Sequence, residues 1–226
     1  MKLLLLWDID GTLISSGGAG MRALQTALHN TFDRKGLLDD IEFAGRTDRW
    51  IMRRIFLKFG LPASEENFGR YIEAYLAALP AAMAEGSARV LPGARELVAA
   101  AGVRPEVAQG LLTGNLRRGA QLKLGFHGLW EPFPFGAFGD DAELRDELGP
   151  HALRRAGERH GVVFEPRQVW VIGDTPHDIA CARAIGANSL ALATGQHALD
   201  SLLAHRPTAG LNDLQDAAAF WRSLGV

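Results

Sequence analysis

Short apolar runs alternate with helical patterns through most of this chain after residue 90. The segments VAQGLLTGN, VWVIGD and SLALAT are typical of buried strands, and the segment HALRRAGERHG has a helical pattern that ends at Gly161. A chain that alternates in this way makes right-handed crossovers, which place helices on both faces of a mostly parallel sheet. The sequence therefore predicts an α/β fold with a doubly wound, mostly parallel sheet.

A long helical block follows the first predicted strand, which is the apolar run at residues 3–7. Between residues 17 and 85 no clear strand is found, and apolar residues recur every three or four positions, as in amphipathic helices. Helices are expected to begin near Thr47 or Asp48 and after Ser64, which is a good N-cap residue. We expect an all-helical domain at residues 16–87, inserted into an α/β core of residues 1–15 and 88–226.

Charge and composition limit the partners of the protein. Its 226 residues are 47% hydrophobic, which is enough for a well-buried core. The 24 basic and 26 acidic residues are scattered and give a formal net charge of -2. We expect neither nucleic acid nor an anionic membrane as a partner. The expected partner is a small molecule.

Cysteine content and hydropathy bear on where the protein works. The single cysteine, Cys181, cannot form an internal disulfide or a zinc site, which fits a reducing cytoplasm. The apolar run at residues 3–7 is too short for a signal peptide or a membrane span. We expect a cytoplasmic protein that is a monomer or a homodimer.

Acidic and hydroxyl residues follow the predicted strands. Asp8 and Asp10 follow the first, Thr113 follows VAQGLL, and Asp174 follows VWVIG. A turn explains one aspartate before a glycine, but two carboxylates so close raise each other's pKa unless a cation is near. Because parallel strands present their carboxyl ends at one edge of the sheet, we expect these residues to converge there.

Four aspartates form the expected metal site. Asp8, Asp10, Asp174 and Asp178 offer hard oxygen ligands, and no two histidines have ligand spacing. Such a set suits Mg²⁺ rather than zinc or copper. Because carboxylate-bound Mg²⁺ normally recruits phosphate oxygens, the site predicts phosphoryl chemistry on a small phosphorylated metabolite.

The pair Asp8 and Asp10 suits a two-step phosphoryl transfer. One carboxylate can attack phosphorus to give an aspartyl-phosphate, while a second acid protonates the leaving oxygen and later activates water. The hydroxyl of Thr113 and the backbone amides of Gly114 and Asn115 are candidate donors to the phosphoryl oxygens.

Three motifs resemble those of the haloacid dehalogenase superfamily, and their order and spacing match it over essentially the whole chain. They are DIDGTL at residues 8–13, LLTGN at 111–115 and GDTPHDI at 173–179. The resemblance implies a HAD-like, Rossmann-type core. It also implies a nucleophile at Asp8, an acid/base at Asp10, phosphate binding by Thr113, substrate contacts by Gly11 and Thr12, and metal ligation by Asp174 with Asp178 beside it.

By the same resemblance the helical block is a cap over the active site. The stretch GRTD at residues 45–48 is similar to the cap loop of phosphoglycolate phosphatase-like members. This implies that Arg46 meets the leaving group of the substrate. The alternative, a surface arginine at a helix start, is equally compatible with the sequence.

The third motif of the family departs from its usual form. It normally contains a lysine before the helix that precedes the fourth motif, and no lysine occupies that place here. Arg145 is the best substitute, because Arg154 and Arg155 fall inside the predicted helix. Arginine keeps the positive charge but presents a planar fork instead of a compact ammonium group.

Four functions compete at this point. A Mg²⁺-dependent phosphomonoesterase uses every residue named above. A phosphomutase would share Asp8 and Asp10 and stays open, whereas a dehalogenase would need neither Asp10 nor the metal ligands. A binding protein that has lost activity is disfavoured, because every expected chemical position except the lysine is filled.

Overall fold

Residues 3–226 are described by the computed structural model and contain eight strands and nine α-helices. The strands are β1 (Leu3–Trp7), β2 (Ile14–Ser15), β3 (Arg89–Val90), β4 (Val107–Leu112), β5 (Gly136–Ala137), β6 (Val169–Gly173), β7 (Asn188–Leu192) and β8 (Ala209–Leu211). Six of them form one sheet in the order β5-β4-β1-β6-β7-β8, in which every neighbouring pair is parallel. This confirms the predicted parallel sheet.

The helices divide between the sheet and the insert. They are α1 (Ala19–Phe32), α2 (Asp48–Lys58), α3 (Glu65–Glu85), α4 (Ala94–Gly102), α5 (Arg117–Phe126), α6 (Leu148–His160), α7 (Pro176–Ala184), α8 (Leu199–Ala204) and α9 (Ala217–Ser223). Two short 3-10 turns cover Arg145–Glu147 and Pro166–Gln168. Among the helices of residues 3–226, none is both long and apolar enough to cross a membrane.

Both faces of the sheet are covered because β1 is apolar on both sides. Leu5 and Trp7 belong to a core that includes residues of α4, α5 and α9, whereas Leu4 and Leu6 belong to a second core with α6 and α7. All five residues of β1 are buried. A strand covered on both faces appears in the sequence as a continuous apolar run, and the doubly wound fold is confirmed.

The helical insert, α1–α3, packs around a hydrophobic cluster to which the core contributes Leu116. Phe56 of α2 contacts Phe68 and Tyr71 of α3, with ring centroids 4.9 and 5.3 Å away. The insert joins the core through β2 and β3, which pair antiparallel outside the main sheet. That residues 16–87 act as a separate cap domain stays a prediction.

Side-chain caps fix two helix starts in the insert. Thr47 accepts a hydrogen bond from Trp50 N at 3.1 Å, and Ser64 accepts one from Asn67 N at 3.2 Å. Each bond satisfies a backbone N–H that has no partner within the helix. The predicted helix starts near these residues therefore agree with the structure.

Candidate active site

The residues predicted to follow the strands meet at the carboxyl edge of the sheet. Asp8, Thr113 and Asp174 come directly after β1, β4 and β6, which are neighbours in the sheet. Asp178 lies in the first turn of α7. Carboxylate oxygens of Asp8, Asp174 and Asp178 lie within 4.8 Å of one another, and all three residues are buried.

This carboxylate group is electrostatically unfavourable without a cation. Burial raises the pKa of Asp8 to about 6, although the Arg145 guanidinium opposes the shift. Burial, followed by the charges of Asp178 and Asp8, raises the pKa of Asp174 well above its usual range. Three buried oxygen donors within reach of one ion are the ligand chemistry of Mg²⁺, so the residues present fit the predicted metal.

Arg145 lies where the sequence analysis expected the neutralising cation. Its Nη2 is 3.0 Å from Asp8 Oδ1 and 2.5 Å from Asp178 Oδ1, and its side chain is 4% exposed. The two poorer candidates lie elsewhere, since Arg154 pairs with Glu158 and Arg155 pairs with Asp141. Among these arginines, only Arg145 is brought to the carboxylate group.

Asp10 has different partners from the three clustered carboxylates. Its Oδ2 lies 2.6 Å from Lys123 Nζ and accepts a hydrogen bond from Asn115 Nδ2 at 2.9 Å. Burial raises the pKa of Asp10, but the charge of Lys123 and its hydrogen bond outweigh this and hold the pKa below its ordinary value. The side chain of Asp10 is not in the group within reach of one ion, so metal ligation by Asp10 stays a prediction.

Sequence reasoning missed Lys123. This residue lies in α5 beside the buried residues Ala120 and Leu124 and is itself 4% exposed. The signal in the sequence was a lysine on the apolar side of a predicted helix, where an unpaired ammonium group would be costly.

The LLTGN segment contains the end of β4 and a tight loop formed by Thr113, Gly114 and Asn115. Thr113 is fully buried, and its Oγ1 accepts hydrogen bonds from Asn115 N at 3.3 Å and from Asn115 Nδ2 at 2.9 Å. Gly114 has no room for a side chain, since a Cβ there would lie 2.1 Å from Arg46 O. The insert therefore reaches the backbone of this loop directly.

Gly11 and Thr12 both lie close to Asp174. Gly11 has a φ of +82°, and a Cβ there would lie 2.3 Å from Asp174 Oδ2, so only glycine fits. The buried Thr12 hydroxyl donates to Asp174 Oδ1 at 3.4 Å. The predicted substrate contacts of both residues stay predictions, and the structure gives the Thr12 hydroxyl a carboxylate partner.

The GRTD loop of the insert contacts the core at several points. Asp48 N donates to Gly114 O at 2.7 Å, and Asp48 Oδ2 accepts from Leu116 N at 2.8 Å. Thr47 Oγ1 donates to Glu143 O at 2.5 Å. Burial raises the pKa of Asp48 to about 6, although the nearby Lys123 opposes the shift. Sequence reasoning treated Asp48 only as a helix start.

Arg46 combines features of both interpretations offered by the sequence. It lines the cavity, but its Nη2 pairs with Glu42 at 2.5 Å and its guanidinium lies over the Trp50 ring, 4.4 Å from the centroid. Its side chain is 30% exposed. Contact of Arg46 with a leaving group stays a prediction.

A cavity of about 470 Å³ lies between the insert and the core. The core contributes Asp8, Asp10, Asp174, Thr113, Lys123 and Arg145 to its walls, and the insert contributes mainly apolar surface. These insert residues include Met21, Leu24, Phe43, Ile51 and Tyr75. The volume is typical of sites for small molecules.

Comparison with known proteins identifies relatives of this chain. A sequence profile of the haloacid dehalogenase-like hydrolase family matches residues 5–183. Phosphoglycolate phosphatase from Rhodospirillum rubrum is 28% identical over 203 residues, covering 86% of this chain and 81% of the relative. The probable phosphatase IndB from Dickeya dadantii is 27% identical over 228 residues, covering 92% and 88%.

Solved structures share the fold. CbbY from Rhodobacter sphaeroides, determined in complex with phosphate, is 18% identical, and the match covers 100% of both chains with a TM-score of 0.76. A hydrolase from Pseudomonas syringae is 19% identical, and the match covers 98% of both chains with a TM-score of 0.73.

Proposed function

Because the chain belongs to the haloacid dehalogenase-like hydrolase family, we propose that it is a Mg²⁺-dependent phosphatase that hydrolyses a small phosphomonoester through an aspartyl-phosphate. The observation that carries this proposal is the buried group of Asp8, Asp174 and Asp178, with Arg145 on Asp8, of which Asp8 and Asp174 line a cavity of about 470 Å³. The relatives named as phosphatases support the same reaction class.

The proposed reaction has two steps. An Asp8 carboxylate oxygen forms a bond to phosphorus while the bond to the ester oxygen breaks, and Asp10 gives that oxygen its proton. Water then attacks the phosphorus of the aspartyl-phosphate, Asp10 accepts a proton from the water, and the Asp8 carboxylate leaves with inorganic phosphate as product.

Other residues hold the phosphoryl group in this proposal. Thr113 Oγ1, the backbone amides of Gly114 and Asn115, and Gly11 contact its oxygens, and Arg145 offsets part of its negative charge. Mg²⁺, held by Asp8, Asp174 and Asp178, would add positive charge at the phosphoryl oxygens.

The helical insert is proposed to act as a cap. It covers the cavity with apolar side chains such as Phe43 and Ile51 and contacts Gly114 of the LLTGN segment through Asp48 N. A cover of this kind excludes bulk water from the reacting groups. Arg46, on the same loop, is proposed to lie near the leaving group.

A substrate screen tests this function. The purified protein is incubated with a panel of phosphorylated metabolites, including phosphoglycolate, with Mg²⁺ and with excess EDTA, and released inorganic phosphate is measured. We expect release from at least one small ester with Mg²⁺ and none with EDTA or in the Asp8→Asn variant. Isomerised sugar phosphate without phosphate release would identify a mutase instead.

A further inference from the structure

Lys123 makes contacts that the proposed reaction has not used. Its Nζ lies 2.6 Å from Asp10 Oδ2 and 2.6 Å from Asn115 Oδ1, and its side chain is 5% exposed. A buried ammonium group without such partners would be strongly destabilising. In residues 3–226, Asp10 is the one carboxylate that pairs with Lys123.

Asn115 completes a small network around the same oxygen. Its Nδ2 donates to Asp10 Oδ2 at 2.9 Å and to Thr113 Oγ1 at 2.9 Å, while its Oδ1 receives the lysine. Two donors therefore hold Oδ2 of Asp10. The other oxygen, Oδ1, is buried and accepts no well-aligned hydrogen bond among the described residues, although the Ser16 side chain lies near enough to Asp10 to help lower its pKa.

These contacts fix the orientation of the Asp10 carboxylate. Asp10 lines the cavity and its side chain is 34% exposed, although Oδ1 itself is buried. Fixed donors on one oxygen also restrict rotation of the carboxylate. A general acid or base must lie within hydrogen-bond reach of its substrate atom, so its orientation matters.

We propose that Lys123 is a positioning residue, which with Asn115 holds Oδ2 of Asp10 and so fixes the orientation in which the Asp10 carboxylate exchanges a proton with the leaving oxygen and with water. This inference rests on the proposed phosphatase function. It assigns the two nearby cations separate tasks, since Arg145 contacts Asp8 and Lys123 contacts Asp10.

The test compares two esters whose leaving groups differ in their need for a proton. Lys123→Met and Lys123→Arg are assayed with an alkyl phosphate and with p-nitrophenyl phosphate, and kcat/KM is read for each. For Lys123→Met we expect a loss on the alkyl ester that approaches the 10²–10⁴-fold that general acid catalysis typically contributes, about the loss caused by Asp10→Asn. The nitrophenyl ester should keep most of its kcat/KM, and Lys123→Arg should recover part of the loss.

A double-mutant cycle shows whether Lys123 acts through Asp10. In the Asp10→Asn background, adding Lys123→Met should cause no further loss on the alkyl ester. This double variant also removes both partners of the ion pair, so it leaves no uncompensated buried charge if Lys123→Met alone unfolds. The matched control is Lys58→Met, which removes a lysine of the insert that pairs with Asp40 and should change neither ester.

Three results would overturn the proposal. An equal loss on both esters would give Lys123 a direct role in binding the phosphoryl group, and independent, additive losses in the cycle would show that it does not act through Asp10. A wild-type protein that releases phosphate from no ester would reject the phosphatase function itself. That last outcome differs from the other two because it precedes any comparison of variants.

Discussion

The two aspartates at residues 8 and 10 have different surroundings although only one residue separates them. Asp8 is buried beside Arg145, and its pKa is raised to about 6 chiefly by burial. Lys123 outweighs burial at Asp10, whose pKa is held below its ordinary value. Without substrate, Asp10 is thus in the base form that the proposed second step requires. The negative phosphoryl group of a bound substrate raises its pKa again, which favours the acid form.

Separate substitutions distinguish the two proposed roles. Asp8→Asn should leave essentially no turnover, because an amide cannot form the aspartyl-phosphate. Asp10→Asn should lose about 10²–10⁴-fold, the usual contribution of general acid–base catalysis. Intact-protein mass spectrometry should detect a phosphoryl label on the Asp10 variant and none on the Asp8 variant. A label on the Asp8→Asn protein would assign the nucleophile to another residue.

Asp48 offers a test of stability against pH. Its pKa is about 6 in the folded protein against an ordinary value of 3.8, so the folded state binds a proton more tightly than the unfolded state. The resulting stabilisation is fully present below about pH 4 and is lost as the pH rises through about 6. Asp48→Asn removes this dependence and can still accept the hydrogen bond from Leu116 N.

The free energy of unfolding of Asp48→Asn, relative to wild type, should therefore rise between pH 4 and pH 7 by at most about 3 kcal/mol. Urea unfolding of the metal-free proteins at several pH values measures this difference. A difference that stays constant across the range would contradict the raised pKa.

Among single residues, the sequence predicted the positions of those that directly follow strands of the sheet. Asp8, Thr113 and Asp174 end neighbouring strands, so topology alone brings them together. Lys123 lies inside a helix, and its contact with Asp10 depends on how α5 rotates over the sheet. Only its place beside the apolar residues of α5 hinted that it is buried.

Among the elements, the insert helices depend on one aromatic cluster. Phe56 is fully buried and contacts the rings of Phe32, Phe68 and Tyr71. The next residue in α2, Leu57, is 71% exposed. Helix α2 therefore packs against its neighbours through the face that contains Phe56, and Leu57 lies outside that face.

Phe56→Ala should lower the free energy of unfolding by about 3–5 kcal/mol, because it removes buried contacts and leaves a cavity. Leu57→Ala in the same helix is the matched control and should change stability by no more than about 0.5 kcal/mol. Denaturant unfolding followed by circular dichroism measures both. Equal effects of the two substitutions would show that the helix does not pack on this face.

Element prediction succeeded where local signals were strong and missed β2, β3 and β8. Thr47 and Ser64 marked helix starts because capping is a local interaction. β2 and β3 were not predicted, since two residues contain no periodicity to recognise. β8 forms by pairing with β7, and its three residues AGL look like a loop in isolation.

Over the whole molecule, metal binding should couple to folding. Three buried carboxylates within reach of one ion repel each other, and an ion bound only by the folded state stabilises it. Mg²⁺ at 100 times its dissociation constant adds about 2.7 kcal/mol, and a domain of this size gains about 2–4 °C in Tm per kcal/mol. Differential scanning calorimetry with Mg²⁺ and with EDTA should show this upward shift.

Asp174→Asn is the control for that measurement. It removes one charge from the proposed ligand set, so the Mg²⁺-dependent rise in Tm should shrink markedly. A rise of the same size in the variant would place the stabilising ion elsewhere on the protein.

The antiparallel pair β2–β3 places the two ends of the insert side by side. Strands in such a pair lie about 5 Å apart. The chain therefore enters and leaves the insert through two adjacent segments. Replacing the intervening helices by a two-residue turn would close the pair into an ordinary β-hairpin and leave the six-stranded sheet unbroken. The carboxyl edge of the sheet would then have no cover. Phosphorylated macromolecules that are too large for the cavity could reach the aspartates at this edge.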